Sequence, residues 1–114
     1  MIKVKRVYEP PSPNDGTRLL VDRLWPRGVR KDALHMSGWL KEVAPSPELR
    51  NWFGHDPKKW LEFRRRYQRE LRKNSGAVQP IRNAARQGNV TLLTSARDTE
   101  HNNAVVLAGF VQAG

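Results

Sequence analysis

The sequence predicts a small α/β fold, with a parallel or mixed sheet flanked by helices. Two segments, residues 18–24 and 90–94, have continuous apolar centres, as strands covered on both faces do. Between and after them lie segments whose apolar residues recur with helical spacing. Interleaved strands and helices are typical of this class. A chain of 114 residues is expected to form one domain, residues 1–114.

The N-terminal part is expected to hold two strands joined by a loop. Apolar and charged residues alternate over residues 2–8, which predicts a strand. Residues 9–16 contain three prolines and end in Asp-Gly, so a loop without regular structure is expected. The strand at 18–24 ends at Trp-Pro-Arg-Gly, residues 25–28. The pattern of residues 32–42 is ambiguous and favours a short helical turn.

Four helices are predicted downstream. Ser46 is a good cap for a short helix over 47–52, with proline at its first position. Asp56 caps the longest helix, which ends before Asn74. The other two are expected at residues 79–87 and 99–111, on either side of the strand at 90–94.

Composition narrows the classes of function. The net charge of +10 and isoelectric point near 10.9 favour polyanions, acidic ligands or acidic proteins as partners. The absence of cysteine excludes a disulfide scaffold, a cysteine metal site and a cysteine nucleophile, and it fits a reducing compartment. No apolar run has the length of a signal peptide core or a membrane span. We therefore expect a cytoplasmic protein without a membrane partner.

Polar residues crowd the turn after the strand at 90–94. Arg97, Asp98, His101 and Asn102 lie where a strand end meets a helix N-terminus, which is where ligands bind in open α/β sheets. In one interpretation Asp98 or Thr99 simply caps the helix and His101 has no functional role. In the other, helix N–H groups, Arg97 and His101 bind an anion, and His101 is the candidate general acid or base.

A second polar turn follows the strand at 18–24. If both strands are parallel neighbours, Asp22, Arg23 and Arg27 face the first turn across a shallow cleft. An aspartate beside arginines stays ionised, so Asp22 is expected to orient them as an acceptor rather than act as an acid. The alternative is a pair of Arg–Asp bridges that stiffens the loop, with Trp25 in the core.

The longest helix has a basic face opposite an apolar stripe. In the simpler interpretation this basic face is only a solvated surface. In the second interpretation it contacts the phosphates of a nucleic acid. Neither a cofactor motif nor metal-ligand spacing of the histidines is present, so no cofactor and no metal are expected. The apolar stripe is Trp60, Phe63, Tyr67 and Leu71, and the basic face includes Arg65, Arg66, Arg69 and Arg72.

Three motifs carry a resemblance to a known family. They are YEPPSPNDG at residues 8–16, LVDRLWPRG at 20–28 and LLxxARDxxHN at 92–102, and residues 39–46 and 52–57 also fit. On these motifs the chain resembles the YeaO-like branch of the bacterial domain of unknown function 488, over nearly its whole length.

The resemblance implies a compact α/β domain and does not specify a reaction. The family's usual lysine before Asp98 is Arg97 here, which keeps the charge. Its common histidine at position 103 is Asn103, which weakens any mechanism that needs two histidines.

Two hypotheses follow. The favoured one is binding of an anionic or phosphorylated small molecule at the paired strand ends, with or without catalysis by His101. The alternative is a nucleic-acid-binding module that uses the basic helix face.

Overall fold

The computed structural model describes residues 1–113 and is built on a four-stranded sheet. The strands are β1 (Ile2–Arg6), β2 (Thr17–Leu20), β3 (Gly38–Trp39) and β4 (Val90–Thr94), in the order β1-β4-β2-β3. All three pairings are parallel. The predicted α/β class is confirmed, and of the two alternatives the sheet is parallel.

Four helices accompany the sheet: α1 (Pro47–Phe53), α2 (Trp60–Lys73), α3 (Gln79–Gln87) and α4 (Asn103–Ala113). Single 3-10 turns lie at Pro13–Asp15, Lys41–Val43, Pro57–Lys59 and Ser75–Val78. The predicted cap of α1 is confirmed, since the Ser46 hydroxyl accepts a hydrogen bond from Leu49 N at 3.2 Å. Asp56 caps the 3-10 turn that leads into α2. Within residues 1–113, no helix combines the length and apolar character needed to cross a membrane.

The two faces of the sheet are covered differently. One face contributes Leu19, Val90 and Leu92 to a core shared with side chains from all four helices. The opposite face contributes Leu20 and Leu93 to a smaller cluster. That cluster is closed by loop and edge-strand residues, namely Val7, Trp25, Val29, Leu34, Met36 and Trp39. The sheet is therefore covered on both faces, with helices on one and long loops on the other.

Several boundaries differ from the prediction. β2 ends at Leu20, short of the predicted residue 24, because the chain after Val21 turns out of the sheet. The segment 32–42, predicted as a helical turn, contains the short strand β3, which pairs Leu19 with Gly38. The loop at 9–16 contains one 3-10 turn, with a capping box between Ser12 and Asp15. The last helix begins at Asn103 instead of residue 99.

Candidate functional site

The two polar turns meet at the carboxyl end of the sheet, on the Asp22 side chain. Asp22 Oδ2 accepts hydrogen bonds from Ser95 N at 2.8 Å and Ser95 Oγ at 2.9 Å. Asp22 Oδ1 accepts from Thr94 Oγ1 at 2.9 Å and from Asn103 Nδ2 at 3.2 Å. This half-buried carboxylate thus fills the crevice where β4 ends and α4 begins. The acidic group at the strand ends is therefore a side chain of the protein, the carboxylate of Asp22.

Asp22 does not orient an arginine, in contrast to the expectation. Arg23 turns away and donates to the carbonyl oxygens of Ala44 and Pro45, both at 3.3 Å. Trp25 packs edge-on against Trp39, with 5.3 Å between ring centroids. Neutral donors lie closer to the Asp22 carboxylate than any guanidinium does, so the predicted Arg–Asp bridges do not form in this loop.

Asp98 and His101 form a pair on the other turn. Asp98 Oδ1 accepts from the backbone N–H groups of Glu100 and His101, each at 2.9 Å. Hydrogen bonds from these two N–H groups hold the pKa of Asp98 below its ordinary value, and the His101 side chain adds to the effect. His101 Nδ1 lies 2.9 Å from Asp98 Oδ2. The half-buried imidazole also packs edge-on against Trp60, with centroids 5.1 Å apart.

Asn102 is the residue that caps α4. Its side-chain oxygen accepts from Val105 N at 2.9 Å, and its side-chain nitrogen donates to the Asp98 carbonyl at 2.9 Å. The expectation that Asp98 or Thr99 caps this helix is therefore wrong. Asp98 closes a separate turn just before the helix. Asn102 is 3% exposed, so its observed contacts are structural.

The remaining predicted arginines are exposed, and the end of β1 connects their two turns. Arg27 and Arg97 both lie in the solvent. Arg6 Nε donates to the Ala96 carbonyl at 2.9 Å, next to Arg97. The Arg6 guanidinium lies 4.8 Å from the centre of the Tyr8 ring, and the Tyr8 hydroxyl donates to the Arg27 carbonyl at 3.1 Å. We name Arg6, Arg27 and Arg97 the edge arginines.

Sequence reasoning missed Arg6 and Tyr8. Both follow directly from the end of the first strand, so a parallel β1 would have brought them to this edge. The direction of β1 is absent from the local pattern, because alternation is the same in either direction.

The carboxylates at this edge are all bonded to groups other than the edge arginines' side chains. Asp22 accepts hydrogen bonds from Thr94, Ser95 and Asn103. Asp98 accepts hydrogen bonds from backbone N–H groups of its own turn and is bonded to the His101 ring. Glu9 accepts from the backbone N–H of Arg6 at 2.7 Å. Among the described residues, no ion pair neutralises an edge arginine. The guanidinium groups of the three edge arginines are therefore not engaged by these carboxylates.

The basic face of α2 lies in the solvent. Glu62 is the carboxylate on this side, bonded to Arg65 Nη1 at 3.2 Å and Arg66 Nε at 2.8 Å. The hydrogen bond from Arg66 holds the pKa of Glu62 below its ordinary value. Arg66 also stacks on Trp52, 4.3 Å from the ring centre. The four arginines predicted for this face, Arg65, Arg66, Arg69 and Arg72, are all exposed.

Within the part of the chain that the structure describes, no three His, Asp or Glu residues are grouped so as to hold a metal ion. Besides the carboxylates of Glu9, Asp22 and Asp98, the carboxyl edge holds arginines, hydroxyls, amides and one imidazole. Guanidinium groups bind anions by charge-assisted hydrogen bonds.

Comparison with known proteins identifies the family. An uncharacterised protein of Mycobacterium tuberculosis strain H37Rv is 46% identical over 107 residues, which cover 94% of this chain and 90% of the relative. A Mycobacterium bovis protein matches to the same extent. The uncharacterised protein YeaO of Escherichia coli is 41% identical over 112 residues, covering 98% of this chain and 97% of the relative. No solved structure matches significantly. Since the model described as the inactive DUF488-N3 subclade matches residues 1–114, the chain belongs to the DUF488 family.

Proposed function

We propose that this protein binds a phosphorylated or otherwise anionic small molecule at the carboxyl edge of its sheet, in the cytoplasm. The edge arginines Arg6, Arg27 and Arg97 are the proposed contacts. The observation that supports the proposal is that, among residues 1–113, none of these three guanidinium groups takes part in an ion pair. Guanidinium groups suit bidentate contact with phosphate and carboxylate.

The proposal changes the roles expected from the sequence. Asp22 occupies the crevice itself, so a ligand would rest outside it, against the exposed arginines. Asp22, Arg23 and Asn102 then support the two turns instead of contacting the ligand. Asp98 positions His101 at this edge.

We propose binding without catalysis. The description of the subclade as inactive supports this choice. His101 also has one ring nitrogen bonded to Asp98 and its ring packed on Trp60, which suits a structural contact as well as a reactive one.

A thermal-shift titration with inorganic phosphate and pyrophosphate tests the proposal. A ligand at about 100 times its Kd stabilises the folded state by about 2.7 kcal/mol, which raises Tm measurably. Arg97→Ala is expected to reduce this shift, whereas Arg86→Ala, at an exposed position on α3, should keep it. Equal shifts in both variants, or no shift in the wild type, would contradict binding at this edge.

A second candidate is nucleic-acid binding by the basic face of α2. It is favoured by the four exposed arginines on this face and by Trp52, whose ring lies within about 5 Å of both Lys59 Nζ and the Arg66 guanidinium. Phosphate contacts need clustered cations, and the face of an aromatic side chain can stack on bases.

Fluorescence anisotropy with single-stranded RNA and duplex DNA tests this candidate. Affinity should fall steeply between low and high salt, because bound counterions are released on binding. Substitution of Arg65, Arg66 and Arg69 by glutamate should abolish nucleic-acid binding. The same charge change at Arg30, Lys31 and Arg86 should reduce the affinity less. Absence of binding at low salt rules this candidate out.

A further inference from the structure

A groove of about 660 Å³ lies between α2 and α4, and the edge arginines are not among the residues that line it. Its base includes the half-buried Val105 and Phe110 of α4. Arg64 and Arg72 of α2 line one side, and Arg82 of α3 lines it as well. We name this surface the α2–α4 groove.

The charges of the groove are unbalanced. Three guanidinium groups line it against the single carboxylate of Glu100. Arg82 is held in place, because its Nη1 donates to the Val111 carbonyl at 3.2 Å and it lies 5.9 Å from the Phe110 ring centre. Among the described residues, Arg64, Arg72 and Arg82 take part in no ion pair. The groove therefore favours a ligand with both negative charge and apolar surface.

Gly109 lies in the groove and in the interior of α4. Glycine lowers helix stability relative to alanine, so an interior glycine needs a reason. Packing inside this chain is not the reason, because an added Cβ at Gly109 meets no atom within 4 Å. A bare backbone at this point lets a bound partner approach the helix closely.

We propose that the α2–α4 groove binds an acidic amphipathic helix of a partner protein. Its apolar residues would pack on Val105 and Phe110, and its carboxylates would bind Arg64, Arg72 and Arg82. From Trp60 to Arg72 the groove side of α2 is about 18 Å long at roughly 1.5 Å per residue, or about three helical turns. An amphipathic helix placed in an apolar groove is a common mode of peptide recognition. The apolar base and Gly109 favour this partner over nucleic acid, which needs neither.

Fluorescence anisotropy with a labelled model peptide tests the proposal. The probe is a helix-forming peptide of about 14 residues, with leucine on one face and glutamate elsewhere, compared with a scrambled peptide of the same composition. The wild type is expected to bind the amphipathic peptide at least about tenfold more tightly than the scrambled one. Gly109→Leu should weaken binding by about tenfold or more, because the side chain fills the groove. Gly76→Leu is the matched control and should bind as the wild type does, since Gly76 is also exposed, has open space around it and lies outside the groove.

A charge variant makes the test independent of the Gly109 substitution. Arg64→Glu with Arg82→Glu should also lose about tenfold in affinity, more than the equal charge change Arg30→Glu with Arg86→Glu. Circular dichroism checks that each variant is folded. Failure of the amphipathic peptide to bind, equal binding of the scrambled peptide, or unchanged binding by the folded groove variants would overturn the proposal. Displacement of the peptide by an oligonucleotide at lower concentration than by unlabelled peptide would assign the groove to nucleic acid and overturn it too.

Discussion

Two aspartates at opposite ends of β2 are held in different ways. Asp15 precedes the strand and is bonded to cations: Lys3 Nζ at 2.9 Å, Lys5 Nζ at 3.0 Å and Arg18. Asp22 follows the strand and is bonded to neutral groups, namely two hydroxyls, one backbone N–H and one amide. The two aspartates on either side of β2 therefore lie in different electrostatic environments, Asp15 among cations and Asp22 among neutral donors.

The difference follows from the sheet. Lys3, Thr91 and Arg18 are register partners on neighbouring strands, so their side chains share one face, and Asp15 closes over that face. Asp15 is 1% exposed, and the cations neutralise it. Hydrogen bonds from Lys3 above all, and then from Lys5, Ser12 N and Arg18, hold the pKa of Asp15 far below its ordinary value, although burial opposes them.

The comparison separates a structural ion cluster from a candidate binding edge. Around Asp15 three cations are bonded to one internal carboxylate. Around Asp22 the carboxylate is bonded to neutral donors. The edge arginines nearby take part in no ion pair among residues 1–113. Four predictions test this contrast.

Asp15→Ala is expected to cause the largest loss of stability. It leaves Lys5 and Arg18, which are 14% and 8% exposed, without their counter-charge. Urea unfolding measures the loss. Asp32→Ala is the control, because its ion pair with Arg30 is fully on the surface and should change stability by about 0.5 kcal/mol or less. Similar losses in the two variants would show that the Asp15 cluster is not stabilising.

The pH dependence of stability should change with Asp15. Because its pKa is lowered in the folded state, the ionised carboxylate stabilises the fold. This contribution is complete above the unfolded pKa of about 4 and is lost as pH falls toward the folded pKa. Urea midpoints measured from neutral pH down through this range should fall steeply for the wild type and less for Asp15→Asn. Parallel curves would contradict the assignment.

Asp22→Ala is expected to cost about 2–3 kcal/mol, because it leaves Ser95 N–H and two hydroxyls without their acceptor. The vacated crevice should then accept an external carboxylate. Formate is expected to raise the Tm of this variant more than that of the wild type, and neutral formamide should not. If formate has the same effect on both proteins, the crevice at the strand ends is not selective for anions.

Asn103→Ala is expected to have the smallest effect, about 1 kcal/mol in urea unfolding. It removes one donor to Asp22 and one to the Val21 carbonyl, while Thr94 and Ser95 still hold the carboxylate. Asn83→Ala, at an exposed position on α3, is the control and should be close to neutral. A loss as large as that of Asp22→Ala would indicate that Asn103 is the main partner.

Local patterns predicted the elements that depend on local chemistry. The Ser46 cap, the apolar stripe of α2 and the buried strand β4 are all in place, because capping and periodicity act within a few residues. β3 was missed because two residues carry no periodicity, and it exists only through its pairing with β2. The start of α4 was placed too early because Asp98 is as good a cap by type as Asn102.

The sequence predicted where the two polar turns meet, but it did not predict which groups hydrogen-bond to Asp22. The two parallel strands bring the turns after β2 and β4 to one edge, as predicted for parallel neighbours, but Asp22 bonds there to Ser95 and not to an arginine. The choice of partner for Asp22 depends on distances of tenths of an ångström between hydroxyl, amide and guanidinium groups. No sequence pattern carries those distances.

The α/β class, the positions of most helices and strands, and the excess of arginine can all be read from the sequence. These follow from composition and from interactions between near neighbours in the chain. The direction of β1, which brings Arg6 and Tyr8 to the carboxyl edge, and the use of Asp22 as an internal anion are visible only in the folded chain. Both depend on contacts between residues some 70 to 90 positions apart. Such contacts form by packing of whole elements, because a strand's alternation specifies neither its neighbour nor its direction.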